Sequence, residues 1–184
     1  THPMRALVLT HHGGIAALGV QKVPTPAVTA PDDVQIRVRT AAINHLDLFL
    51  SEGIKGITVS FPHIVGTDGA GLVEAVGPSV RGYRPGQRVT INPGISCGAC
   101  PPCSRGEEPL CRRYGILGEH LPGTAAEFVV VPERNVSPIP DDMPWDIAAA
   151  LPLSTLTGWR MLKTRAAVQP GETVLIWGIG GGVS

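Results

Sequence analysis

The chain has 184 residues and sets 15 Lys and Arg against 15 Asp and Glu. A net charge of zero excludes a generally basic nucleic-acid binder and an acidic solvating tail. With 43% hydrophobic residues it can bury a core, and 23 glycines with 18 prolines favour a turn-rich β fold over a helical bundle.

Met4 to Thr10 is a short β-type run, followed by a turn at His11-His12-Gly13-Gly14. Asp33 to Thr40 alternates Val34, Ile36 and Val38 with Gln35, Arg37 and Arg39, the period of a half-buried strand. Asn44 to Glu52 is predicted to be a short helix closed by Gly53. Ile64 to Gly77 is crowded with glycine and alanine and reads as bent strands whose backbone lies close to something. Gln87 to Ile91 and Ala125 to Val131 are further strands. Residues 1–140 are therefore expected to form one irregular, all-β domain.

The character then changes. Trp145 to Leu151 and Thr155 to Val168 have helical spacing, and Pro170-Gly171 is a stop. Thr173 to Trp177 is predicted to be an apolar strand of the doubly buried kind. Glycines 178, 180, 181 and 182 follow it. No apolar run of about eighteen residues is present, so no membrane-spanning helix is expected. The N-terminus has no basic region leading into an apolar core, so a reducing, cytoplasmic setting is the default expectation.

Every cysteine lies in one lobe, residues 94–118. Cys97, Cys100, Cys103 and Cys111 are spaced x2, x2, x7. Four thiolates can close a tetrahedral site around one zinc ion, and two-residue gaps let neighbouring sulfurs converge. A Cys97–Cys100 disulfide would strain a very short loop. Free core thiols would not cluster in a Gly/Pro/Arg loop. An iron–sulfur run of the bacterial type has x2, x2, x3 and then proline, whereas Arg112 follows Cys111. With all four positions filled by protein, the zinc is expected to be structural. Glu107 and Glu108, among Arg105, Arg112 and Arg113, read as a solvated face of this lobe.

Five segments, in order, resemble the medium-chain dehydrogenase/reductase superfamily, which includes zinc-type alcohol dehydrogenases and quinone oxidoreductases. Gly66-Thr67-Asp68-Gly69-Ala70-Gly71 resembles its G-H-E-G-A-G segment, and Gly86-Gln87-Arg88-Val89 its G-D-R-V turn. The cysteine lobe, Gly123 to Phe128 (against G-T-F-A-E-Y) and Gly178 to Ser184 (the dinucleotide loop) complete the series. The resemblance implies a GroES-like β-barrel with a zinc lobe, followed in residues 141–184 by the first helix, strand and glycine loop of an α/β Rossmann domain. The active site would lie in the cleft between them.

Departures from the family pattern are informative. The alcohol dehydrogenase branch holds a second, catalytic zinc with Cys, His and Cys. By resemblance those positions are Asn44, Thr67 and Leu153, and the proton-relay hydroxyl falls on Leu46. Leucine cannot ligate zinc, and Asn and Thr are poor ligands. The resemblance therefore implies hydride transfer without catalytic zinc, as in the quinone and enoyl reductase branches. Asn44, Asp47 and Thr67 become the candidate catalytic residues at the acceptor end. Asp68, without a metal to support, is expected to pair with a neighbouring arginine.

His45 stands where the family meets the cofactor pyrophosphate, and Thr157 where it abuts the nicotinamide. Gly178, Gly180, Gly181, Gly182 and Ser184 would bring backbone N–H groups to the pyrophosphate at a helix N-terminus. NADP or NAD is thus the implied cofactor, with a small-molecule substrate and a homodimer or homotetramer. Neither a nucleic acid nor a membrane is an expected partner. A Rossmann domain needs about six strands. The chain is accordingly expected to be the N-terminal part of a longer oxidoreductase and to be inactive alone. The competing expectation is a non-enzymatic, zinc-stabilised GroES-like binding module.

Overall fold

The computed structural model describes residues 2–178. The alternation read in the sequence becomes two curled antiparallel sheets. β1 (Pro3–Leu9) turns back through a 3-10 turn (Gly14–Ala17) into β2 (Leu18–Pro24). Met4, Ala6 and Val8 of β1 point inward, as a period of two requires. β3 (Asp33–Ala42) is the long central strand, and α1 (His45–Glu52) follows it. β4 (His63–Ile64) pairs with β1, completing the order β2-β1-β4.

β5 (Asp68–Val76) pairs with β3, and β6 (Arg88–Ile91) with β5. β7 (Gly94–Ile95) and β8 (Gly115–Ile116) form a two-stranded neck, between which lies the one-turn α2 (Pro101–Ser104). β9 (Phe128–Pro132) and β10 (Val136–Pro138) complete a five-stranded sheet of order β10-β6-β5-β3-β9. The expected strand at 125–131 thus begins three residues later. The crowding inferred for residues 64–77 is present. A Cβ on Gly71 would lie 2.2 Å from the Arg37 carbonyl oxygen, beside the irregular register between β3 and β5.

The main core is Val34, Ile36, Val73, Val89, Ile91, Val129, Val131 and Val136, all from the five-stranded sheet. Each such side chain stabilises the fold by about 1.5–3 kcal/mol through burial. Leu9, Leu50 and Val65 make a second cluster under α1. A third cluster decides where the site lies. α3 (Trp145–Ala150) sets Ala148 and Ala149 directly on Ala70 of β5, and only residues this small allow such close approach. α4 (Pro152–Trp159) then starts beside the first residue of β5, with a proline in its first turn where no N–H is needed.

After α4 the helix widens into a π-type turn over Arg160–Arg165, so the expected single helix from 155 to 168 is shorter than its spacing suggested. The segment 173–177 is not a strand. No strand among the described residues pairs with it, and Leu175 and Trp177 are 84% and 93% exposed. Apolar, β-branched residues favour an extended backbone, but a strand exists only when a neighbour completes its ladder.

Candidate functional site

The site begins where β3 hands over to α1. Asn44 is extended (φ −114°, ψ 165°) and caps the helix, a position that suits asparagine. Its backbone N–H donates to Asp47 Oδ2 at 2.8 Å. The other oxygen of Asp47 accepts the Gly66 N–H at 2.8 Å. Gly66 has φ +94°, and a Cβ there would collide with the Ala125 backbone. Asp47 is buried, and burial raises its pKa against the pull of these backbone donors. Its carboxylate is spent on two amides. It ties α1 to the entry to β5.

Two residues beyond Gly66, Asp68 joins three elements. Its Oδ2 accepts from Asn44 Nδ2 at 3.0 Å, and its Oδ1 from the Leu153 backbone N–H at 2.9 Å. Its carbonyl oxygen accepts the Thr124 hydroxyl at 2.6 Å. Burial pushes its pKa up to about 6, opposed by the Asn44 and Leu153 hydrogen bonds and assisted by the charge of Asp47. Asp68 therefore does not pair with an arginine, as expected from sequence. Once buried, it finds amides from α1 and α4 instead. Thr67, just before Asp68 in the chain, is wholly buried, and its hydroxyl has no hydrogen-bond partner among the described residues.

Asn44, Thr67 and Leu153 are thus brought to one place around Asp68. They offer a carboxamide, a hydroxyl and an aliphatic side chain, and no thiolate or imidazole. One helical turn beyond Leu153, the Thr157 hydroxyl donates back to the Leu153 carbonyl at 2.7 Å. Thr157 lines a cavity of about 550 Å³ whose walls include Leu153, Leu156 and Trp159 on one side and Pro93, Tyr114 and Ile116 on the other. His45 is exposed, with its ring stacked on Phe49 at 6.2 Å. Gly178 has φ +83° and open space where a Cβ would be. Gly180, Gly181, Gly182 and Ser184 lie outside the described residues.

The cysteine lobe is a separate cluster. The sulfurs of Cys97, Cys100, Cys103 and Cys111 all lie within 4.8 Å of one another, and no other group of three or more His, Cys, Asp and Glu among the described residues is so placed. Tetrahedral Zn–S bonds of about 2.3 Å would put sulfurs about 3.8 Å apart. Cys97 to Cys103 is 3.9 Å and Cys100 to Cys103 is 3.4 Å, so the ligand set fits zinc. Backbone N–H groups of Cys100 and Arg113 donate to Cys97 and Cys111 sulfurs. The Cys97 thiol is held down to about 5, first by the Ala99 N–H and then by Cys100 and Arg113, while its neighbour Cys100 is pushed up to about 12.

Glu107 departs from the solvated face expected of it. Its carboxylate accepts from Arg160 Nη2 at 2.6 Å and lies 3.9 Å from Arg165 Nη2, so it links the lobe to the segment after α4. His63, for which the sequence named no partner, is buried against the Gly118 carbonyl, and burial lowers its pKa. The Asp68 junction was missed because its partners are 24 and 85 residues away, and one of them is a backbone amide.

Comparison with known proteins agrees with this geometry. The alcohol dehydrogenase GroES-like domain family matches residues 30–141. An L-threonine 3-dehydrogenase of Sinorhizobium medicae is 41% identical over 151 residues, covering 81% of this chain and 43% of its own length. Alcohol dehydrogenase 1 of Emericella nidulans is 34% identical, covering 89% of this chain and 46% of its own. Among solved structures, an NAD-dependent alcohol dehydrogenase superposes with a TM-score of 0.87 at 47% identity, covering 92% of this chain and 49% of that one. A cobalt- and zinc-bound thermostable alcohol dehydrogenase from Pyrobaculum aerophilum gives 0.87 at 35% identity, covering 99% and 54%. The chain spans about half the length of the curated relatives it matches.

Proposed function

The chain belongs to the alcohol dehydrogenase GroES-like family of medium-chain dehydrogenases/reductases, and on that premise we propose that it forms the acceptor-binding part of an NAD(P)H-dependent oxidoreductase. The reaction is hydride transfer to or from a carbonyl, enone or quinone, without catalytic zinc. The observation that carries this reading is the Asp68 junction. Asn44 gives its amide hydrogen to Asp68, Leu153 has no ligating side-chain atom, and the Thr67 hydroxyl is buried with no hydrogen-bond partner among the described residues. That donor set does not fit a catalytic zinc.

In this reading, residues 1–140 are the barrel domain and 141–184 open the nucleotide-binding domain. A bound nicotinamide supplies or takes the hydride. Thr157 would hold the nicotinamide end, and His45 with the glycine loop of 178–184 would hold the pyrophosphate. Asn44 and Thr67 bound the acceptor end, and the acceptor gains a proton from water together with the hydride. Asp47 and Asp68 hold those groups in place. The four cysteines hold one structural zinc. The natural assembly is a homodimer or homotetramer in a reducing compartment such as the cytoplasm.

The natural gene product should oxidise NADPH or NADH with quinones, enones or aldehydes and contain one zinc per chain. Turnover should survive a chelator that leaves the four-thiolate site loaded. A second zinc, found by anomalous scattering within bonding distance of Thr67 or Asn44, would sink the metal-free reading.

A further inference from the structure

Glu107 sits between Cys103 and Cys111, at the turn that brings the fourth sulfur back to the other three. Its backbone is fixed on both sides: its N–H donates to the Pro102 carbonyl, and its carbonyl accepts the Leu110 N–H. Gly106, at φ +72°, makes the turn that presents it. Its side chain leaves the lobe and meets Arg160, with both partners about seven-tenths buried, and Arg165 approaches the same oxygen. On the other side, the Arg160 backbone N–H donates to the carbonyls of Leu156 and Thr157. A chain of direct bonds therefore runs from the turn between two cysteines to the helical turn bearing Thr157. The open cavity of about 550 Å³ lies between these two segments, with Tyr114 on the lobe side and Trp159 on the helix side.

We propose that Glu107 is a positioning residue: it transmits the folded state of the four-cysteine loop to α4, so that metal in the lobe holds the cavity wall carrying Thr157. This rests on the reading of the four cysteines as a zinc site. The loop cannot hold Glu107 by packing, because no side chain between Gly98 and Leu110 is buried. Local backbone hydrogen bonds shape the turn, and convergence of the sulfurs on an ion would anchor it. Release of the metal would free the Glu107 backbone, and the ordering of two long arginine side chains would no longer be offset by a fixed partner. Arg160 and Arg165 would then move independently of the lobe.

The test uses this chain, zinc-loaded or stripped by a chelator, with zinc content measured in each sample. Trypsin cuts after Lys163 and Arg165, which lie just past the clamp, and mass spectrometry gives the rate at those bonds. Zinc removal from the wild type should raise that rate about fivefold. Glu107→Gln should show the same rise while still holding one zinc, and stripping it should add little more. A fluorescence shift of Trp159, read with Trp145 and Trp177 replaced by Phe, should follow the same pattern.

Charge reversal guards against a variant that folds poorly. Glu107→Arg should loosen the segment, and adding Arg160→Glu should restore protection at Lys163. The clamp is overturned if zinc-loaded Glu107→Gln is cut at the wild-type rate, or if stripping accelerates both proteins equally. A chain that takes up no zinc overturns the metal-site reading itself, and metal analysis distinguishes that result from failure of the clamp.

Discussion

The cysteine lobe and the Asp68 junction are two polar clusters of this chain that are stabilised in opposite ways. Between Gly98 and Leu110 no side chain is buried, so the lobe has no core to order it. Its four sulfurs converge within 4.8 Å, an arrangement that could hold a metal ion. Asp68 and Asp47 are 1% and 4% exposed, with backbone and side-chain amides on every carboxylate oxygen. Alanine-on-alanine packing of α3 against β5 brings the Leu153 amide into reach. On the proposed reading, the lobe relies on metal where it lacks apolar burial, and the junction on hydrogen-bond geometry where burial is complete.

The hardest blow to that contrast should be Cys103→Ser. Replacing one thiolate should bring zinc from about one equivalent to near none. Amide exchange across residues 94–118 should then accelerate by at least about a hundredfold, while β3 and β5 stay protected. A lobe that remains ordered without metal would erase the distinction between the clusters. Total zinc sharpens it from the other side, since the wild type should hold one equivalent and not two.

Asp68→Asn should have a smaller effect, with a sign that depends on pH. The folded-state pKa of about 6 lies above the 3.8 of a free aspartate. Between those values the folded state binds the extra proton, so this group's contribution to stability falls as pH rises through that window. Above pH 6 the wild type carries the whole penalty, at most about 3 kcal/mol for a shift of this size. Asparagine removes the charge but can accept only one of the two donated hydrogens, a loss of about 1 kcal/mol. Urea melts should therefore show Asp68→Asn more stable than wild type at pH 8 and less stable at pH 4. Equal destabilisation at both would mean that the carboxylate is not penalised by burial.

What the sequence revealed follows the same division. The lobe was legible because zinc ligation is local: four cysteines within fifteen residues carry their geometry in their spacing. The half-buried strands were legible for a similar reason, since Val34, Ile36 and Val38 alternate whatever their partners are. The Asp68 junction was not legible. Its donors come from a helix cap and a helix start far along the chain, and the expected arginine was the generic partner of an exposed aspartate. Glu107 was misplaced for the same reason, since Arg160 is 53 residues away. The segment 173–177 shows the converse error, in which local apolar character suggested a strand that no neighbour among the described residues completes.

Thr67→Val should give the smallest effect and is aimed at the one loose group in the buried cluster. Asp68 has every oxygen bonded, yet Thr67 beside it is fully enclosed with its hydroxyl unpaired in the protein. Valine nearly matches threonine in shape and has no polar atom to leave unsatisfied. Removing an unpaired buried hydroxyl should stabilise the chain by about 1 kcal/mol. Thr67 is fully enclosed in this structure, so its proposed place at the acceptor end requires the full-length enzyme to open that enclosure; there the same substitution should lower kcat/KM for the acceptor by tenfold or more while leaving affinity for the nicotinamide cofactor unchanged. A variant that loses stability would show that the hydroxyl is already bonded in solution. A variant that gains stability without losing turnover would remove Thr67 from the acceptor site and leave Asn44 as its polar boundary.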